Sequence, residues 1–213
     1  MTPDFAKVVD PVFNYVLDLR RRIDLGQQPS ARFEHDQVEA LLEKADAKVG
    51  DKVARDEWEE AKYALVAWVD ELVNDSQWLD AEREWWSNNT LEFAFFKTLD
   101  HWWLFYERVK RAKELPRKDA LEVFYLCVVL GFRGLYGKGD EAAHEAAQRG
   151  LPPGIEVWAG QVSAAIRAMP RSPITPKPRR QMGAPPLESQ PLLMVAALAT
   201  ALLAAAGAGY FFG

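Results

Sequence analysis

The stretch that decides the fold runs from Tyr63 to Trp78 and reads YALVAWVDELVNDSQW. In this stretch and in the residues just before it, apolar side chains recur at spacings of three and four. Such spacings place one stripe along one side of an α-helix. The stripe consists of Trp58, Ala61, Leu65, Trp68 and Leu72, and Val69 widens it. The pattern predicts a packing helix from about Asp56 to Ser76.

Two adjacent acids, Asp70 and Glu71, lie inside this predicted helix. At about 100° per residue their carboxylates leave the helix on opposite flanks of the stripe, so they cannot easily converge on one metal ion or proton. Asp70 lies between Tyr63, Val66 and Val73, and an acid in apolar surroundings needs a partner from this chain or from another. Three interpretations remain: solvated or salt-bridged side chains, a general acid–base pair, or contact with a partner protein. The apolar surroundings favour the last.

Helical patterns extend over most of the chain up to residue 169. Pro11 interrupts the first pattern, so that either Asp10 caps a new helix there or one helix kinks. No segment alternates in the way that predicts a strand, and the predicted fold class is all-α. Besides the packing helix, the predicted helices cover residues 5–23, 31–49, 79–89, 90–113, 118–131, 140–149 and 155–169, and Thr90 is the predicted cap of the helix at 90–113.

The charge distribution narrows the classes of partner. The 213-residue chain has a net charge of −5, but residues 1–170 contain 22 basic and 30 acidic residues. Nucleic-acid binding needs a basic face to neutralise phosphates, so the acidic body argues against it. A basic partner protein suits the body better. Eight Trp residues, many for this length, are typical of wide gaps between helices and of interaction surfaces.

The C-terminal part of the chain differs in character. Seven of the 22 residues from 170 to 191 are proline, which predicts an extended tether. Residues 192–212 carry no charge and are about long enough to cross a bilayer, although a buried soluble helix is the alternative. Basic residues precede this run and none follows it, so the positive-inside rule puts the body in the cytoplasm. The predicted domains are therefore residues 1–169, a tether over 170–191, and a single-pass anchor over 192–212.

Signals of catalysis are weak. Cys127 is the only cysteine and lies in an apolar run, which predicts a small buried side chain. The glycine-rich turn from Gly131 to Gly139 fails the Walker template, since Phe132 and Gly139 stand where Gly and Ser or Thr are needed. The three histidines lie on different predicted helices without ligand-like spacing. We expect no enzyme activity, no metal and no cofactor.

Four segments together resemble the DotU/TssL (IcmH/DotU) family, inner-membrane components of bacterial type VI secretion systems with relatives in type IVB systems. The segments are YALVAWVDE at 63–71, Trp78, FYER at 105–108, and EVFYLCVVLGFRGLY at 122–136. The resemblance covers about residues 5–170, and the predicted C-terminal anchor agrees with it. One departure is the aromatic stretch at residues 100–103, where relatives often have glycine.

The resemblance implies a helical cytoplasmic domain with the shape of a hook of two three-helix lobes. Its anchor holds the protein in the bacterial inner membrane. The resemblance further implies a structural subunit that links an envelope-spanning assembly to the cytoplasmic baseplate. The implied partners are an IcmF/TssM-like inner-membrane protein, the lipoprotein TssJ in the same complex, and the baseplate component TssK; a homo-oligomer is left open.

The resemblance also implies roles for individual residues. Asp70 and Glu71 match the acidic pair of the family and are expected in a partner-facing cleft. Structural roles are expected for Tyr63, Trp68, Trp78, Gly131, Phe132, Gly134 and Tyr136. Two alternatives remain: a tail-anchored adaptor of another envelope machine such as a type IVB system, and a membrane-tethered enzyme that uses Asp70 or Glu71.

Overall fold

The computed structural model describes residues 1–50 and 52–168, which contain nine α-helices and two short 3₁₀ helices after the seventh. Within these residues the only extended pairing is an isolated bridge between Gly50 and Val53, so the predicted all-α class is confirmed. The helices are α1 (Pro3–Asp24), α2 (Ala31–Asp46), α3 (Arg55–Asn74), α4 (Asp80–Asn88), α5 (Leu91–Phe96), α6 (His101–Glu114), α7 (Asp119–Val129), α8 (Ala142–Gln148) and α9 (Ile155–Arg167).

Helix α3, which the sequence predicts as a packing helix, is the centre of the fold. It contacts α1, α4, α5, α6 and α7. Every residue from Tyr63 to Asp70 is buried, so this part of α3 is enclosed on all sides and is not covered on one stripe only. A helix that is apolar all round is typically surrounded by other elements. Small Ala64 and Ala67 between the large side chains let neighbouring helices approach closely.

The other helices form two contacting groups. In one group α2 contacts both α1 and α4, and in the other α7 contacts both α6 and α9. Helix α3 contacts members of both groups. These groups agree with the two three-helix lobes that the resemblance implies, while the hook-shaped outline stays a prediction.

The structure resolves one alternative and corrects one boundary. Helix α1 continues through Pro11, so no new helix begins at Asp10. The single helix predicted over residues 90–113 is wrong, because it is divided into α5 and α6. Lys97 adopts a left-handed conformation with φ 58°, which ends α5, and Leu99 is 62% exposed in the connecting loop. The apolar spacing in the sequence gives no indication of this break between α5 and α6.

Helix α7 is the apolar helix that the sequence predicts to be surrounded by others, and it packs against α3, α6 and α9. Together with the turn after it, over Asp119–Gly137, it is the one stretch of the described residues that is long and apolar enough to cross a membrane. A buried core helix meets the same criteria, so this stretch does not by itself identify a span. The predicted tether at 170–191 and anchor at 192–212 lie outside the described residues and stay predictions.

Candidate interaction site

The carboxylate of Asp70 connects α3 to the two helices that follow it in the chain. Asp70 is 0% exposed. Its Oδ1 accepts hydrogen bonds from Trp86 Nε1 at 2.9 Å and from the Leu91 backbone N–H at 3.0 Å. Its Oδ2 accepts from the Glu92 backbone N–H at 2.8 Å. The side chain therefore binds α4 through an indole and α5 through its first turn.

These bonds explain how so short a helix as α5 forms. A helix leaves its first backbone N–H groups without intrahelical acceptors, and a six-residue helix is unstable by itself. Asp70 accepts from the N–H groups of Leu91 and Glu92, and Thr90 Oγ1 accepts from that of Phe93 at 3.3 Å. The predicted capping role of Thr90 is thus confirmed. An acid of α3 supplies the rest of the cap.

Burial raises the pKa of Asp70 to about 6, although the N–H donors of Glu92, Trp86 and Leu91 act in the opposite direction. A carboxyl group with this pKa is largely ionised at neutral pH. Its charge is then stabilised by three N–H groups and by the nearby His101. The Asp70 carboxylate is neither solvated nor in an ion pair within the described residues, so the first interpretation of its environment is wrong.

Glu71 points the other way, to the turn after α7. Its carboxylate accepts the backbone N–H of Arg133, and its Oε2 accepts that of Gly134 at 2.9 Å. Burial raises the pKa of Glu71, and the same two N–H groups oppose this. Asp70 and Glu71 therefore bind different segments of the chain, in agreement with the predicted divergence of their side chains.

The turn that Glu71 binds is closely packed. Gly134 has φ 49°, and a Cβ added there would lie 2.7 Å from the backbone oxygen of Trp102. Buried Phe132 stacks on Phe105 with ring centroids 4.0 Å apart, and Tyr136 donates its hydroxyl to the Pro152 carbonyl at 2.7 Å. The glycine-rich turn is therefore a packing element, as the failed Walker template indicates.

The remaining residues expected to have structural roles are also bound within the chain. Gly131 has φ 117° and lies at the start of the turn that follows α7. The indole of Trp78 donates to the Pro29 carbonyl at 3.0 Å, and that of Trp68 donates to the Leu130 carbonyl at 3.4 Å. Their contacts join distant parts of the sequence, which is what a structural role requires.

Glu92 is the residue of this site that the sequence did not indicate. Its side chain is 0% exposed and accepts five hydrogen bonds. The donors are the hydroxyls of Tyr63 and Thr98 (both 2.8 Å), the backbone N–H groups of Asp100 and His101 (both 3.1 Å), and Nδ1 of His101 (2.9 Å). The loop between α5 and α6 thus closes on one carboxylate.

The charges of Glu92 and His101 depend on each other. Burial disfavours the charge of Glu92, but hydrogen bonds from His101, Tyr63 and Thr98 outweigh it and lower the pKa to about 2. Burial also disfavours the charge of His101, yet its bond to Glu92 raises its pKa overall. The sequence contained one signal for the loop that binds Glu92, namely Asp100 directly before an aromatic helical run, where a helix start is typical.

The expected partner-facing position of Asp70 differs from its observed position. Its carboxylate has no exposed surface and its acceptors are occupied by Trp86, Leu91 and Glu92, so it cannot contact another protein in this conformation. Whether Asp70 and Glu71 contribute to partner binding stays a prediction. Any such contribution passes through the two segments that they hold.

The geometry gives no support to the enzyme alternative. A general acid–base pair must reach the same substrate, whereas these two carboxylates diverge and Asp70 is enclosed. Among the described residues, the ligand atoms of His35, Asp36 and Glu39 lie within 4.8 Å of one another and could hold a metal ion by distance. All three come from α2, and Asp36 is exposed, so we assign no metal centre there.

The family model described as "Type VI secretion system protein DotU" matches residues 4–212. The chain belongs to the DotU family. Its fold is similar to that of the cytoplasmic domain of TssL from Acinetobacter baumannii, with a TM-score of 0.61 and 20% identity over 78% of this chain and 98% of that one. SciP/TssL from enteroaggregative Escherichia coli 042 has a TM-score of 0.49 and 20% identity, over 62% of this chain and 76% of that one.

The comparison with curated protein sequences gives no significant match. Membership of the DotU family makes this protein a membrane-associated component of a type VI secretion membrane complex. The similarity to the Acinetobacter domain identifies the fold of the described residues as that of a TssL cytoplasmic domain.

Proposed function

We propose that this protein is a non-enzymatic structural subunit that links the envelope-spanning part of a type VI secretion membrane complex to the cytoplasmic baseplate. The observation that carries the proposal is the DotU family match, which extends over residues 4–212 and so includes the helical domain and the apolar C-terminal run. The proposed partners are an IcmF/TssM-like inner-membrane protein and the lipoprotein TssJ in the same complex, and TssK in the baseplate.

The proposed arrangement in the membrane follows from the C-terminal sequence. Residues 192–212 form a single membrane span, and the proline-rich residues 170–191 connect it to the helical domain in the cytoplasm. Support comes from the 21 uncharged residues and from the basic residues that precede them. This arrangement lets the helical domain meet cytoplasmic partners while the anchor remains within the complex.

The proposed contact surface is the segment from Leu91 to His101. Asp70 fixes its start and Glu92 fixes its end, as described above. Its outer side exposes two large apolar residues, Phe93 at 54% and Leu99 at 62%. Exposed apolar side chains on a fixed loop are suited to binding a protein partner. In this form of the prediction Asp70 acts by positioning the surface and does not touch the partner.

Co-purification tests the proposal. The tagged full-length protein is extracted in detergent from its native cells, and the proteins that accompany it are identified by mass spectrometry. We expect the IcmF/TssM-like, TssJ and TssK proteins to accompany the wild type. Leu99→Ser should lower the recovery of TssK about fivefold or more, because a central apolar contact typically contributes about 1 kcal/mol or more to binding. Leu25→Ser is the matched control, since Leu25 is 67% exposed in the turn after α1.

Two outcomes contradict parts of this proposal. Recovery of type IVB secretion proteins in place of these partners would favour the adaptor alternative. Equal recovery of TssK with Leu99→Ser and Leu25→Ser would contradict the proposed contact surface but not the proposed linking function. The DotU match is described for type VI secretion, which is why we place the chain there first.

A further inference from the structure

Two segments, at the start of α3 and at the end of α6, form a basic surface on an otherwise acidic body. The basic surface consists of residues 52–56 and 107–118, which contain eight basic and three acidic residues. The rest of residues 1–170 contains 14 basic and 27 acidic residues. The basic surface therefore carries a net charge opposite to that of the rest of the body.

Hydrogen bonds hold the two segments of the basic surface together, although they are distant in the chain. Arg117 Nη1 donates to the Lys52 carbonyl at 3.1 Å, which places the turn after α6 against the residues that precede α3. The backbone N–H of Ala120 donates to Glu57 Oε2 at 2.8 Å, so the start of α7 is bound to the first turn of α3 as well. The cations of both segments thus lie on one side of the fold.

Most cations of the basic surface have no acid of the chain beside them. Lys110 pairs with Glu107. Arg108 and Arg111 both pair with the buried Glu60. The other five cations belong to no ion pair within residues 1–50 and 52–168, and they are Lys52, Arg55, Lys113, Arg117 and Lys118. All five are at least partly exposed, so an external anion can reach them.

The ionisation of Lys113 reflects the excess of positive charge. Burial is the main cause that lowers its pKa, and the charge of Lys110 lowers it further. An anion bound nearby favours the charged form of an amine and so opposes both effects. The charge balance of this surface is therefore complementary to an anion.

We propose that the basic surface binds anionic lipid headgroups of the membrane that holds the protein. Each basic side chain near an anionic leaflet contributes about fivefold to association, by attraction to the whole charged plane. Such attraction needs no fixed pairing geometry, which suits five cations spread over two segments. The same leaflet repels the acidic rest of the body, so the domain binds by this surface alone. The inference rests on the proposed anchor at residues 192–212, which keeps the helical domain beside the cytoplasmic leaflet.

An acidic partner protein has the same charge as such a leaflet, but two observations favour the lipid. The chain belongs to a membrane-associated family. In addition, none of the large apolar side chains that are exposed among the described residues belongs to the basic surface. Protein interfaces typically depend on such side chains at their centre, whereas binding to headgroups needs only charge.

The experiment uses the full-length protein in nanodiscs of two compositions, phosphatidylcholine alone and an equal mixture of phosphatidylcholine and phosphatidylglycerol. Both contain a lipid with a spin label on its headgroup, which quenches a nearby fluorophore. The fluorophore is attached through Glu114→Cys within the basic surface, where Glu114 is exposed. The natural Cys127 is buried and does not compete for the label.

A second labelling position serves as the control. Ser87 is exposed, and its Oγ lies 2.9 Å from Asn74 Oδ1 at the last residue of α3. Ser87→Cys therefore places the fluorophore at the opposite end of this 20-residue helix, about 30 Å from its start. We expect quenching at position 114 to be about threefold or more stronger with phosphatidylglycerol, and to lose this difference at high salt. Quenching at position 87 should not depend on the lipid.

Variants assign the effect to the basic surface. Lys52→Gln combined with Lys113→Gln removes two cations whose side chains make no hydrogen bond among the described residues, and it should abolish the dependence on phosphatidylglycerol. Arg21→Gln combined with Arg32→Gln is the matched control. Both of these arginines are exposed, on α1 and α2, and their loss changes the net charge equally but should keep the dependence.

Three results would overturn the inference alone: equal quenching at position 114 with the two lipid compositions, equal quenching at positions 114 and 87, or equal effects of the two variant pairs. The first of these would favour an acidic protein as the occupant. Absence of the protein from both kinds of nanodisc would overturn the proposed anchor and this inference with it. No other secretion protein is present, so the co-purification of partners is tested separately.

Discussion

The carboxylate of Asp70 lies where water cannot reach it. Other groups of the chain donate the hydrogen bonds that water would otherwise donate. A buried charge is costly unless hydrogen bonds compensate for it, and bonds to a charged acceptor are the stronger kind. Trp86, Leu91 and Glu92 provide three such bonds from two different helices. A single side chain of α3 therefore binds both α4 and α5.

Asp70→Ala should lower the free energy of unfolding by about 3–5 kcal/mol, because it leaves three donors buried without an acceptor. Urea unfolding of the full-length protein in detergent, followed by circular dichroism, measures the change. Asp75→Ala is the control: Asp75 is exposed at the end of the same helix, and its loss should cost less than about 0.5 kcal/mol. Similar values for the two variants would show that the bonds of Asp70 contribute little to stability.

At this scale the sequence was informative up to a definite point. It showed that Asp70 needs a partner and that Asp70 and Glu71 diverge, because both conclusions follow from helix geometry and from apolar neighbours in the same helix. It did not show which residues the partners are. Leu91 and Glu92 lie more than twenty positions along the chain, and no local pattern specifies that approach.

The loop between α5 and α6 shows what a periodic pattern cannot reveal about elements. Leu91, Phe95, Leu99 and Trp102 have the spacing of one continuous helix, yet the helix ends at Phe96. Hydrogen bonds from Thr98, Asp100 and His101 to Glu92 compensate for the backbone bonds that the break removes. Tertiary bonds thus override local periodicity here, and a single sequence contains no record of them.

The turn after α7 offers a second test at the scale of elements. Gly134 and Gly139 both have positive φ, at 49° and 62°, but a Cβ at Gly134 meets the Trp102 oxygen and the Phe132 ring whereas one at Gly139 meets nothing within 4 Å. Gly139→Ala should cost about 1–2 kcal/mol from backbone strain alone. Gly134→Ala should cost about 1–3 kcal/mol more, because it adds overpacking.

Thermal and urea unfolding of these two variants measure the difference. A Gly134→Ala protein as stable as Gly139→Ala would mean that the turn shifts away from α6 without cost. The bond of Glu71 to Gly134 would then have to be weaker than its distance indicates.

The whole molecule was the easiest scale to predict. Helical spacing in nearly every segment and the absence of alternation gave the all-α class, and the apolar stripe around Trp68 predicted α3 as a packing helix. The four quoted segments gave the family, which the match over residues 4–212 confirms. Each of these conclusions depends on patterns within a segment, and those are what a single sequence records.

Deletion of residues 192–212 is expected to move the protein from the membrane fraction to the soluble fraction, since the proposed span supplies most of its membrane affinity. Fractionation with a carbonate wash, followed by immunoblotting, measures the distribution. The control replaces the same residues with an unrelated apolar span of equal length, which should restore membrane retention. A truncated protein that stays in the washed membranes would show that residues 192–212 are not its anchor.

The closure of a loop on Glu92 has a consequence for the kinetics and entropy of recognition. Surface loops usually lose conformational freedom when a partner binds, and that loss reduces affinity. The backbone at Asp100 and His101 is already held by an interior carboxylate, so the adjacent Leu99 is presented in advance of any encounter. A partner that docks there meets a preformed surface, and its affinity can come from contact area without an ordering cost in this loop.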